Sequence, residues 1–102
     1  MFNLFKRNKK STDYKFELPK DTISFSCSHV IDAGKEILYV SHDEEGDWQF
    51  MCGDSDHETE TGKLICLEHI TELDSSVNEL YNLPIGYVAE RKNKKDKWEI
   101  YN

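Results

Sequence analysis

The sequence predicts one α+β domain: an antiparallel sheet of about five strands, with one or two short helices between the fourth and fifth. Three observations carry this. Trp48, Phe50 and Cys52 alternate with Gln49 and Met51, the two-residue period of a strand holding one face to a core. The apolar run at residues 37–40 lies just upstream, and the acidic stretch 42–47 with Gly46 joins the two as a hairpin. Beyond Leu67 the period lengthens: Ile70, Leu73, Val77 and Leu80 recur at spacings of three and four, the stripe of one helix or two short ones.

The elements follow in order. Residues 1–20 have no sustained apolar period and end at Leu18-Pro19, which predicts a flexible or loosely docked basic arm. Its Phe2, Leu4 and Phe5 stand beside Lys6, Arg7, Lys9 and Lys10, a cluster too short for stable membrane anchoring. The domain proper spans residues 21–102. Ile23, Phe25 and Cys27 alternate with Ser24, Ser26 and Ser28, which predicts a half-buried first strand with the apolar set inward. Residues 30–34 read as a turn, residues 36–41 and 47–52 as the second and third strands, and residues 53–62 as a polar loop. The apolar run 63–67 reads as a fourth strand buried on both faces. Ser76-Val77-Asn78-Glu79 has the form of a capping box at a helix start. Leu83-Pro84 ends the helical region, because the residue before proline disfavours helical angles. Residues 85–91 then form a strand, 93–96 a polar turn, and 97–101 a final edge strand.

Composition narrows the function classes. The chain has 102 residues, only 37% of them hydrophobic, so twelve aromatic side chains must supply much of the buried area. No run of eighteen apolar residues is present, which excludes a spanning helix by sequence. The first ten residues place their charges after the apolar ones, the wrong order for a secretory signal. Cys27, Cys52 and Cys66 are odd in number and widely spaced, which predicts reduced thiols and a cytoplasmic protein. Charge is unevenly spread: residues 21–90 hold sixteen acidic and two basic side chains, whereas both ends are net basic. An anionic middle repels nucleic acid and attracts a basic protein partner.

Several segments together carry a resemblance. These are Cys27-Ser28-His29-Val30, residues 37–43, Gly46-Asp47-Trp48-Gln49-Phe50-Met51-Cys52-Gly53, Leu73-Asp74, and Leu83-Pro84-Ile85-Gly86 running on to Arg91. The set resembles a family of small bacterial domains of unknown function with a Trp-x-Phe strand and a Leu-Pro-x-Gly strand ending in arginine. It is more distantly similar to predicted immunity proteins of polymorphic toxin systems. The resemblance covers about residues 22–91, implies the fold and a bacterial origin rather than an activity, links to toxin immunity by analogy, and carries over no catalytic residues.

Cysteines, histidines and carboxylates supply the candidate chemistry. Cys27-x-His29, Cys52 with His57, and Cys66-x-x-His69 offer zinc-type ligands, with Cys27, His29, Cys66 and His69 as the alternative metal set. Against zinc, each pair is mixed and the intervals are irregular. A Cys–His nucleophile could draw on His29, His42 or His69, but no glycine elbow accompanies a dyad. The alternating Asp54, Asp56, Glu58 and Glu60 lack the calcium-loop pattern. Lys92, Lys94, Lys95 and Lys97 near Tyr87, Trp98 and Tyr101 make a poor nucleic-acid footprint beside an anionic domain. The reading is therefore a non-enzymatic module, without cofactor, that binds a basic toxin or effector. Its expected contact residues are Asp43, Glu44, Glu45, Asp47, Asp54, Asp56, Glu58 and Glu60, with Trp48 or Tyr39 as an apolar anchor where exposed. The alternative is a small zinc- or thiol-dependent enzyme.

Overall fold

The computed structural model describes residues 14–53 and 62–102. Strand β1 (Ile23–Ser26) leads into a one-turn helix α1 (Ser28–Ile31), where the sequence predicted only a turn. Strands β2 (Tyr39–His42) and β3 (Trp48–Met51) form the expected hairpin. Strand β4 (Lys63–Cys66) passes directly into α2 (Leu67–Leu73) and then a 3-10 helix (Ser75–Leu80). Strands β5 (Tyr87–Glu90) and β6 (Glu99–Tyr101) complete the domain.

The strands make one mixed six-stranded sheet in the order β4-β1-β3-β2-β5-β6. Four neighbouring pairs are antiparallel as predicted, but β1 and β3 run parallel. A parallel pair needs a long crossover. Residues 27–47, with α1 and β2, supply it, so the hairpin folds back and seats β3 rather than β2 beside β1.

Every buried apolar strand residue points to one face. Val40, Trp48, Phe50, Ile65 and Ala89 meet Leu67, Ile70, Val77 and Leu80 of the helical layer in a single core. The phase of β1 is the reverse of the sequence expectation. Ser24 and Ser26 are fully buried, while Ile23 is 53% exposed and Phe25 half-buried on the opposite face. The serines tolerate this because Ser24 Oγ donates to the Ile65 carbonyl (2.8 Å) and Ser26 Oγ to that of Phe50 (2.6 Å). No buried hydroxyl is left unpaired there. β4 is likewise one-sided, with Ile65 buried and Leu64 67% exposed.

The helical layer has its own correction. The stripe breaks at Leu73, which is exposed, because α2 stops and a 3-10 helix restarts after Asp74. Asp74 caps that restart: its carboxylate accepts from Ser76 N (3.0 Å) and Ser76 Oγ (2.6 Å). The predicted Ser76 box is replaced by a cap two residues earlier. Gly86, with φ of 90°, makes the turn that admits β5, and its N–H donates to His42 O.

Residues 14–20 of the predicted arm belong to the fold, and residues 1–13 lie outside the described ones. Phe16 is buried edge-on against Trp48 (centroids 5.1 Å) and near Phe50 (6.3 Å). The Lys15 N–H donates to Asn78 Oδ1 at 2.9 Å, tying this segment to the 3-10 helix.

Arg91 is a buried hub of side-chain contacts. Buried beside Asp74 at 2.8 Å, it also donates through Nε and Nη2 to the Ile37 carbonyl (3.1 and 2.9 Å). Its Nη1 donates to Ser76 Oγ (2.9 Å) and the Lys94 carbonyl (3.1 Å), and the guanidinium stacks on Trp98 at 4.0 Å.

Arg91→Ala should lower unfolding free energy by about 3–5 kcal/mol in urea melts, because it strands a buried carboxylate. Asp74→Ala combined with it should cost much less than the sum of the single changes. Phe16→Ala should cost about 3–5 kcal/mol. A loss near zero would place residues 14–20 outside the cooperative unit.

Candidate functional site

The acidic hairpin tip contains two kinds of carboxylate. Asp43 is internal to the turn: its Oδ1 accepts from the N–H groups of Glu45 (2.9 Å) and Asp47 (3.0 Å). Its Oδ2 accepts weakly from Gln49 Nε2 at 3.4 Å. Glu44, Glu45 and Asp47 are exposed. Of the expected contact residues, those three are free to meet a partner, Asp43 shapes the turn, and Asp54, Asp56, Glu58 and Glu60 lie outside the described residues.

Beside the tip lies the sheet face turned away from the core. Cross-strand registers place Leu64, Phe25, Gln49, Ser41, Val88 and Tyr101 in one row across all six strands. Ile23, Met51 and Tyr39 flank that row on the same face. Leu64, Ile23 and Tyr101 are exposed, and Phe25, Met51, Tyr39 and Val88 are half-buried. Glu90 and Glu99 add negative charge at one end. A hydrogen bond to Glu90 is the chief cause holding the Tyr101 hydroxyl above its ordinary pKa. Sequence periodicity concealed this face, because an alternating strand shows which residues share a side but not which side meets the core.

Trp48 is not an accessible anchor. It is buried between Phe16 and Phe50 and stacks on His42 at 4.1 Å. His42 Nδ1 lies 2.7 Å from the Leu83 carbonyl, an acceptor only, so that nitrogen carries the proton. His42 is thereby committed to structure, and His69 is exposed on α2. Trp98 is occupied by Arg91 rather than presented to a base.

His29 behaves differently. Ligand atoms of Cys27, His29 and Cys52 all lie within 4.8 Å of one another, and Cys52 Sγ is 3.5 Å from His29 Nδ1. Cys66 and His69, the second half of the expected metal set, are not in this group, and His57 lies outside the described residues. Cys52 also lines a groove of about 600 Å³ walled by Leu38, Tyr39, Gly53, Glu90 and Arg91. Gly53, with φ of 79°, lets the chain turn away just after it.

No family model, no curated protein and no solved structure matches the chain. Among the described residues no helix is long and apolar enough to cross a membrane.

Asp43→Ala should cost about 1 kcal/mol of stability by removing the acceptor of two turn N–H groups. Glu44→Ala should change stability by less than about 0.5 kcal/mol. Equal effects in thermal melts would mean that Asp43 has no special place in the turn.

Proposed function

We propose that this chain is a non-enzymatic protein-binding module that docks a basic partner on the open sheet face and the adjoining acidic tip. The observation that carries it is the open face itself. Each of the six strands presents at least one outward apolar side chain that is partly or largely exposed, with carboxylates at the border of the face. Contiguous apolar surface rimmed by polar groups is the usual form of a protein interface. Glu44, Glu45 and Asp47 sit at the tip between the two central hairpin strands, where they add electrostatic attraction to apolar contact. A basic toxin or effector held in an occluded state fits this chemistry, which makes an immunity-type role the preferred form of the proposal. The charge excess of residues 21–90 points the same way.

The test compares binding by the full chain with two surface variants. A triple charge reversal, Glu44→Lys with Glu45→Lys and Asp47→Lys, should slow association with the captured partner about tenfold at low salt. That difference should shrink as salt is raised. Leu64→Asp should leave stability within about 0.5 kcal/mol and accelerate dissociation. Retention of a basic partner by the wild type, lost from both variants in quantitative affinity capture, supports the reading. Retention that neither variant changes, or a partner without basic character, overturns it.

A further inference from the structure

The parallel pair that the sequence did not anticipate has a chemical consequence. Registers Phe25↔Gln49 and Ser26↔Phe50 bring the C-terminal ends of β1 and β3 side by side. Cys27 follows β1 directly, and Cys52 follows β3, so both thiols leave the sheet at the same end. Helix α1 starts at Ser28, and its His29 brings a ring nitrogen within 4.8 Å of both sulfurs. An antiparallel β1–β3 pair would have sent the two cysteines to opposite ends of the sheet.

The resulting donor set is two sulfurs and one imidazole nitrogen. In a tetrahedral zinc site with Zn–S of about 2.3 Å and Zn–N of about 2.0–2.1 Å, adjacent donor atoms stand about 3.5–3.8 Å apart. The Cys52 Sγ to His29 Nδ1 separation of 3.5 Å already matches one such edge, and the whole trio lies within 4.8 Å. Soft and borderline donors without a carboxylate disfavour magnesium or calcium and suit zinc. Charge also balances: two thiolates cancel a divalent ion, so the neutral assembly fits where Cys27 and Cys52 are buried. Of the three, Cys52 borders the groove beside Leu38 and Gly53, the side from which a water or external donor would approach.

We propose that Cys27, His29 and Cys52 form a site for a zinc-type divalent ion, bound by two thiolates and one imidazole. Water or an external donor completes the fourth position. Binding displaces the two thiol protons to solvent, and no electron transfer is involved. The groove beside this site shares Tyr39 and Glu90 with the docking face proposed above, but none of the three ligands belongs to that face, and metal binding is proposed independently of docking.

The test uses the reduced full-length chain, stripped with a chelator and titrated with Co²⁺ while visible and near-ultraviolet absorption are recorded. One ion per chain, thiolate-to-metal charge transfer, strong tetrahedral d–d bands and displacement by Zn²⁺ are expected. Release of about two protons per ion should accompany binding near neutral pH. The bands should vanish in Cys27→Ser, Cys52→Ser and His29→Gln and persist in Cys66→Ser. Zn²⁺ should raise the melting temperature of the wild type and of Cys66→Ser, but not of His29→Gln, which alters a half-buried rather than a core residue. Where a buried cysteine variant does not fold, the wild-type spectrum and the Cys66→Ser and His29→Gln pair still decide. Absence of charge transfer in the reduced wild type overturns the proposal. Bands that survive His29→Gln or disappear in Cys66→Ser overturn it too, as does a Cys27–Cys52 disulfide in a chain whose reduced form takes up no metal.

Discussion

One buried guanidinium sets the geometry of this domain. Arg91 reaches Asp74 at the joint of the helical layer, the Ile37 carbonyl ahead of β2, the Lys94 carbonyl in the last turn, and the face of Trp98. Removing a charge from water is costly unless its donors are filled, so each partner is held where the fork can reach it. The ion pair is therefore less a source of net stability than a constraint on arrangement. It ties the 3-10 helix to the sheet and fixes how β6 returns along β5. It also stands in the wall of the groove that Cys52 borders, so the same residue shapes the surroundings of the thiol cluster.

A second constraint follows from having one helical layer on a six-stranded sheet. A sheet covered on one side can keep its other side polar, as many antiparallel sheets do. Here β1 does the opposite, turning two serines inward and Ile23 and Phe25 outward. Inside, Ser24 and Ser26 are small and bind neighbouring carbonyls, so the inversion leaves no buried polar group stranded. Outside, apolar area is left in contact with water at about 25 cal/mol per Å². The arrangement is tolerable for a free domain and becomes favourable when a second surface covers that side.

Much of the architecture was legible in the sequence. The hairpin, the polar tip, the change to helical period after β4 and the late strand pair all follow from local alternation and turn chemistry, which nearby residues determine. What was not legible depends on which distant element lies alongside. The phase of β1 is set by the position of the helical layer, and the Ser24/Ile23 alternation fits either side equally well. Asp74 displaced Ser76 as the cap because Arg91, far along the chain, holds its carboxylate at the joint. Phe16 falls in a segment whose sequence fits a flexible or loosely docked arm, because one aromatic residue has no period; Trp48 and Phe50 provide its seat.

The thiol cluster shows the same division. Cys27-x-His29 was a candidate from spacing alone, and local spacing also singled out Cys66-x-x-His69. Only the parallel register selects Cys52 as the third member, because it aligns two strand ends that are distant in sequence. The domain's negative charge would concentrate a divalent cation as well as a basic protein. The two attractions differ in their response to salt, however. Exposed carboxylates such as Glu44 and Glu45 lose influence beyond a Debye length of about 8 Å at physiological ionic strength. Thiolate and imidazole bonds to an ion beside the core are screened far less. Ionic strength thus separates docking through the acidic tip from coordination at the strand ends, though both arise from the same sheet.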